Sequence, residues 1–198
     1  MNTSGSLDRR AREPTKGVGY EAVLHAHAGI VRRQAARGAR CQARSWLGYI
    51  VIVIARADPN DAERLHAIAV AAKAHWGFDA AWMAEWARRV QITPEYLAGS
   101  LAFVAIEAGV IVGWYALLPR PPAALLDHLW LLPEQIGRGL GRQLFEHALG
   151  QARALGAERL ELEAEPNAVG FYQHMGAVVI GSLVSEMGRA IPIMEIGL

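Results

Sequence analysis

The chain has 198 residues, 53% of them hydrophobic and 20% charged, with a formal net charge of +1 and a single cysteine. That is enough apolar material for one sizeable core and one domain. A lone Cys41 excludes an internal disulfide and any multi-cysteine metal site, which fits a reducing, cytoplasmic address.

The charge is unevenly spread. Residues 1–46 carry nine Lys or Arg against three Asp or Glu, whereas residues 47–198 carry eleven against sixteen. With its Ser, Gly and Ala and its scattered Arg32, Arg33, Arg37, Arg40 and Arg44, the stretch 1–47 reads as a basic, disordered N-terminal extension. A start assigned too far upstream and an Arg-rich presequence are the competing readings. His25 and His27 in this stretch could bind metal, but two lone histidines in a tail are more often incidental. The domain proper is then 48–198, and its mildly acidic balance argues against a nucleic-acid partner. No membrane partner is expected, because the longest apolar run, Tyr49 to Ala55, is strand-sized and stops at Arg56.

Tyr49 to Ile54 is a β-branched run that reads as a buried strand. Asp58-Pro59-Asn60-Asp61 supplies a cap and a proline in the first turn, and Leu65, Ile68, Ala69 and Ala72 share one face of the helix that follows. A second helix is predicted over Ala80 to Val90. Leu101 to Glu107, Val110 to Leu118 and Leu125 to Leu132 read as strands, the first two joined at Ala108-Gly109, with Pro119 to Pro122 breaking the chain before the third. Gly139 to Leu155 is a helix with Gly156 as its stop, Arg159 to Ala164 a strand, and Ala168 to Met175 a short helix. Ala177 to Val184 and Pro192 to Ile196 close the chain as strands. Because strands alternate with helices only in the later part, the expected fold class is α/β, with a mixed sheet covered on both faces.

Between the strand ending at Leu132 and the next helix lies Gly137-Arg138-Gly139-Leu140-Gly141-Arg142. The unpaired N–H groups of a first helical turn and the helix dipole make such a place an anion site, and glycine lets phosphate oxygens approach the backbone. Alone, the turn is equally a tight connection without a ligand. A P-loop would need Lys then Ser or Thr after the last glycine, where Arg142-Gln143 stands, and a dinucleotide fingerprint would need glycine at 142.

These residues resemble the GCN5-related N-acetyltransferase (GNAT) superfamily. Gly139 and Gly141 match its loop, with Ile136 departing from the usual Gln or Arg, and Asn167, Phe171-Tyr172 and Gly176 match a second block. Ala71 to Phe78, Asp127-His128-Leu129-Trp130 and Gly188 to Met194 are similar to a bacterial small-molecule branch. The resemblance implies a three-layer α/β/α fold around a mixed, mostly antiparallel sheet. It implies transfer of an acetyl group from acetyl-CoA, as co-substrate, to a primary amine of a small molecule, with no metal. The amides of Gly137, Arg138, Gly139, Leu140, Gly141 and Arg142 would cradle the pyrophosphate, and Asn167 would both cap its helix and touch coenzyme A. The Leu131 amide, or that of Leu132 beside it, would polarise the thioester. Tyr172 would protonate the leaving thiolate.

For the base that receives the amine proton, Asp127 beside His128 is the first candidate. Glu161 and Glu163, on one face of a strand, are second. His75 and Trp76 sit where the family forms its acceptor pocket, and His128 is a further acceptor-side candidate. Trp76, Trp82 and Trp86 are either an aromatic wall for an amine or ordinary packing. The final strands are placed to pair in a homodimer, as family members often do. A catalytically silent acyl-CoA-binding module and an enzyme acting on a protein amine are the alternative functions.

Overall fold

A computed structural model describes residues 51–198. The extension read at 1–47, His25, His27, Cys41 and the first residues of the opening strand lie outside the described residues. Among the described residues no helix is long and apolar enough to cross a membrane.

Strand β1 (Ile52–Arg56) is not the buried strand that its composition suggests. Among the described residues it lies at one end of the sheet, pairs with a single neighbour, and leaves Val51 70% and Val53 52% exposed, while Ile52 and Ile54 turn inward. Period-2 alternation at a sheet edge separates the two sets. Asp58 then starts a 3-10 turn (Pro59–Asp61), accepting from the Asn60 amide at 2.8 Å while Asp61 accepts from the Asp58 amide at 3.1 Å. This reciprocal cap satisfies donors that a helix start leaves over. Helix α1 (Ala62–Ala74) follows and buries Leu65, Ile68, Ala69 and Ala72. Helix α2 (Ala80–Arg89) is capped by Asp79. A third helix, α3 (Pro94–Gly99), is capped by Thr93 and opens on a proline.

The middle of the chain is a meander of β2 (Leu101–Glu107), β3 (Val110–Arg120) and β4 (Ala123–Leu131). Its second hairpin is longer than the prolines suggest, since pairing runs on through Pro119↔Ala124 to Arg120↔Ala123. Pro119 is tolerated because β2 ends at Leu101, opposite Leu117, so no ladder bond to β2 is lost there. After a 3-10 turn (Pro133–Gln135) come α4 (Leu140–Ala154) and β5 (Arg159–Glu163). Another 3-10 turn (Pro166–Ala168) leads to α5 (Val169–His174), β6 (Val178–Val184) and β7 (Ala190–Gly197).

Among the described residues the strand order is β1-β2-β3-β4-β5-β7-β6, and only the β4–β5 pair is parallel. On one face α4 and α5 bury Leu140, Leu144, Phe145, Ala148 and Tyr172 against Tyr115, Leu117, Leu126, Leu160, Leu162 and Met194. On the other, α1 and α3 bury Leu65, Ile68, Ala69 and Leu97 against Val104, Trp114 and Ala116. The result is the expected three-layer α/β/α arrangement with a mostly antiparallel sheet. Each fully buried leucine contributes roughly 1.5–3 kcal/mol.

Candidate active site

Parallel pairing of β4 with β5 begins at Ala123↔Arg159 and stops at Leu126↔Leu162. Strand β4 runs on to Leu131, so residues 127–131 lose their β5 neighbour and the sheet opens into a fork. A cavity of about 430 Å³ occupies this opening.

The backbone of the fork is specific. The Leu132 amide donates to the Val112 carbonyl at 2.9 Å, so it is already used and does not serve as the thioester donor. In an antiparallel ladder consecutive amides point to opposite edges. The Leu131 amide therefore faces the side that β5 has vacated, where the cavity lies. Gly113, opposite Leu131 in the ladder, makes this packing possible, since a Cβ there would sit 2.7 Å from Leu131 Cδ2 and 3.0 Å from the Trp130 carbonyl.

At the far end of β4 the chain enters the glycine turn. Gly137 and Gly139 have φ of +79° and +84°, a left-handed backbone that side chains disfavour. The amide of Gln143 bonds the Gly139 carbonyl at 3.2 Å, which leaves the amides of Leu140, Gly141 and Arg142 as the orphan donors of the α4 N-terminus. Gly137, Gly139, Gly141 and Arg142 line the cavity. The arrangement suits an anion: left-handed turns without Cβ atoms, free amides, a helix dipole and one guanidinium. The Leu140 side chain is fully buried in the core, so only its amide is available. The Arg138 guanidinium is turned to Glu107 Oε1, 3.2 Å away. Gln135, which is 4% exposed, lies beneath the turn and donates to Glu107 Oε2 at 2.6 Å.

Asp127 and Tyr172 line the same cavity. Between β3 and β4 the register passes from Ala116↔His128 to Leu117↔Leu126, so Asp127 is the extra residue of a β-bulge. Bulges re-aim side chains. Here the bulge leaves Leu126 in the α4-side core while His128 packs on Trp114 and Tyr96 of the α1 side. Asp127 Oδ2 accepts from the Tyr96 hydroxyl at 2.5 Å and lies 3.7 Å from His128 Nε2. Trp130 Nε1 donates to His128 Nδ1 at 2.9 Å, which fixes a neutral His128 as the Nε2–H tautomer facing Asp127. Burial lowers the His128 pKa below the ordinary histidine value, against a weaker pull upward from Asp127. His128 thus stands behind Asp127 rather than in the cavity wall. The Tyr172 ring is 8% exposed, and burial pushes its phenol up from the ordinary value, so the group holds its proton.

Several expectations need correction. Asn167 lines the cavity but does not cap a helix: it lies inside the 3-10 turn, α5 starts behind Ala168 without a side-chain cap, and Asn167 Nδ2 faces Glu165 Oε1 at 3.4 Å. Trp76 lines the cavity, whereas His75 caps α1 and packs edge-on against Trp76. Trp82 and Trp86 are not a wall for a foreign amine. With Phe78 they surround the Lys73 ammonium at 5.3–5.5 Å, and Arg189 stacks over Phe78 at 4.6 Å. Lys73 and Arg189 converge on Glu165, with Arg189 at 2.8 Å. Burial pushes the Glu165 carboxyl up, but hydrogen bonds from Arg189 and Lys73 outweigh it and hold the group below its usual range. Glu161 is tied to Arg159 at 2.7 Å, while Glu163 lines the cavity.

Lys73, Tyr96, Gly113, Glu165 and Arg189 belong to this site without standing out in the sequence. A signal exists for Tyr96, because Thr93-Pro94-Glu95 is a capped helix start with a proline and an acid in its first turn.

The model of the acetyltransferase (GNAT) family matches residues 63–177. A curated relative, the peptidyl-lysine N-acetyltransferase YjaB of Salmonella typhimurium, is 38% identical over 72 residues, which cover 36% of this chain and 48% of that protein. The chain thus aligns with about half the length of the curated relatives it matches. The fold is similar to the PaiA N-acetyltransferase of Thermoplasma acidophilum in complex with coenzyme A, with a TM-score of 0.61 and 21% identity over 75% of this chain and 100% of that one. It is also similar to a GCN5-related N-acetyltransferase of Rhodopseudomonas palustris, with a TM-score of 0.62 and 24% identity over 79% of this chain and 100% of that one.

Proposed function

As the chain belongs to the acetyltransferase (GNAT) family, we propose that it transfers an acetyl group from acetyl-CoA to a primary amine of a small molecule by direct attack within a ternary complex. The observation that carries this reading is the fork: one cavity holds an unspent β4 amide, a glycine cradle at one end and a carboxylate at the other. The amides of Gly137, Gly139, Leu140, Gly141 and Arg142, with Asn167, hold coenzyme A, which supplies the acetyl group as a thioester; the Arg138 amide, expected in this cradle, is instead spent on the Gln135 carbonyl at 3.3 Å. The Leu131 amide stabilises charge as it develops on the acyl oxygen, in the manner of an oxyanion hole. Asp127, oriented by Tyr96 and His128, receives the proton that the attacking ammonium must lose. Tyr172, kept neutral by burial, gives its proton to the departing sulfur. Enclosing both partners in one cleft supplies the proximity.

The test is thiol release from acetyl-CoA in the presence of a panel of small amines. Coenzyme A binding without turnover of any amine would favour the silent binding module. A second reading, acetylation of a protein lysine, is favoured by the name of the YjaB relative. Faster turnover of a lysine in a folded protein than of any small amine would select it.

A further inference from the structure

We infer that the acceptor carries a second positive charge beside the amine that is acetylated, and that Glu163 reads it. This rests on the small-amine reading of the same cavity. Leu126↔Leu162 is the last parallel pair, so Asp127 and Glu163 are the first residues on either arm of the fork. Both residues line the cavity that opens beyond that pair.

Their surroundings separate the two carboxylates from a third. Glu165, also in the cavity wall, is neutralised by Lys73 and Arg189. Among the described residues Glu163 has no ion-pair partner, and the nearest basic group to Asp127 is the neutral, Nε2–H-bearing His128. The lining guanidinium, Arg142, belongs to the glycine turn. Two indoles, Trp76 and Trp130, complete this end of the wall, and Trp76 remains 39% exposed. Carboxylates beside aromatic faces attract ammonium groups twice over, by charge and through the ring quadrupole.

Asp127 has a proton to receive, and a single ammonium satisfies one carboxylate. Glu163 is left for a second cation that stays charged during the reaction. A diamine or polyamine has this chemistry, with spare amines that hold protons near the lysine value. A neutral-tailed monoamine lacks it.

The experiment compares 1,4-diaminobutane with n-butylamine as acceptors for the full chain, using thiol release from acetyl-CoA. We expect kcat/KM to favour the diamine by about tenfold, the scale of one partly screened ion pair. In Glu163→Gln the preference should fall below about threefold, and added salt should reduce it in the unaltered protein without any substitution. Equal kcat/KM for the two amines, or a preference untouched by both Glu163→Gln and salt, overturns the proposal alone. Turnover of neither amine, with coenzyme A still bound, overturns the small-amine reading and this proposal together.

Discussion

The Tyr96 hydroxyl donates to Asp127 Oδ2 at 2.5 Å, joining helix α3, which leads into the β2–β4 meander, to the extra residue of a bulge within that meander. The bond uses one carboxylate oxygen and leaves the other to the cavity. Burial, followed by the hydrogen bond to Asp127 and then its charge, raises the Tyr96 pKa, so this phenol stays a donor. Asp127→Asn should lower kcat by roughly 10²–10⁴-fold, the usual range for loss of a positioned base. Tyr96→Phe should cost less, about tenfold, because it frees the carboxylate to rotate without removing it. In both variants the coenzyme A affinity measured by calorimetry should be unchanged. A kcat in Asp127→Asn within twofold of the parent would remove Asp127 as base.

Tyr172 is tested by its protonation. Burial raises the phenol above its ordinary value of 10.0, so its ionisation should not limit activity below that pH. Tyr172→Phe should reduce kcat by about 10²-fold while leaving coenzyme A binding intact. A parent rate that falls below pH 10 with a limb missing in Tyr172→Phe would contradict the elevated phenol.

The glycines divide by what surrounds them. Gly113→Ala forces a Cβ to 2.7 Å from Leu131 Cδ2 and should cost about 1–3 kcal/mol as an overpacked site, with a raised KM for acetyl-CoA. At Gly150, in α4, an added Cβ would meet nothing within 4 Å, so conversion to Ala should gain roughly 0.5–1 kcal/mol. Denaturant midpoints measured on the two variants should move in opposite directions.

Stability should fall on acidification. Burial lowers the pKa of both His128 and His147 from 6.5 in the folded protein. Below that value the unfolded chain therefore binds protons that the folded one refuses, so stability is full above pH 6.5 and is lost as pH falls through the folded values. Melting temperatures at pH 7.5 and 5.5 should show this loss, and a His128→Gln, His147→Gln double variant should flatten it. An unchanged acid slope would show that other groups carry it.

The buried hub is sensitive to removal of one member. Glu165→Gln leaves the Lys73 ammonium and the Arg189 guanidinium facing each other without their shared counter-ion, at a cost of about 3–5 kcal/mol. Thermal unfolding should report it, and a change under about 1 kcal/mol would mean that water replaces the carboxylate.

Local features of this molecule are legible in the sequence because their causes are local. Strand β2 and helix α4 follow from alternation, a 3.6-residue apolar stripe and a glycine stop at Gly156. The glycine turn can be placed because strand, turn and helix are contiguous. What cannot be read depends on register or on distant partners. Neighbouring residues of a regular strand point to opposite faces, so Asp127 and His128 become neighbours in space only through the bulge, which a sequence does not mark. The role of Trp82 and Trp86 rests on Lys73, and that of Glu165 on Lys73 and Arg189, which lie 92 and 24 residues away from it.

The caged Lys73 has one more effect. The whole chain contains two lysines, Lys16 and Lys73, against eighteen arginines. Among the described residues Lys73 is therefore the lone side-chain amine, and it is shut behind three rings and a carboxylate. Every other fixed cation there is a guanidinium, which stays protonated and does not attack a thioester. The described surface therefore offers a thioester no exposed side-chain amine. Prolonged incubation with acetyl-CoA should leave the mass of peptides from residues 51–198 unchanged.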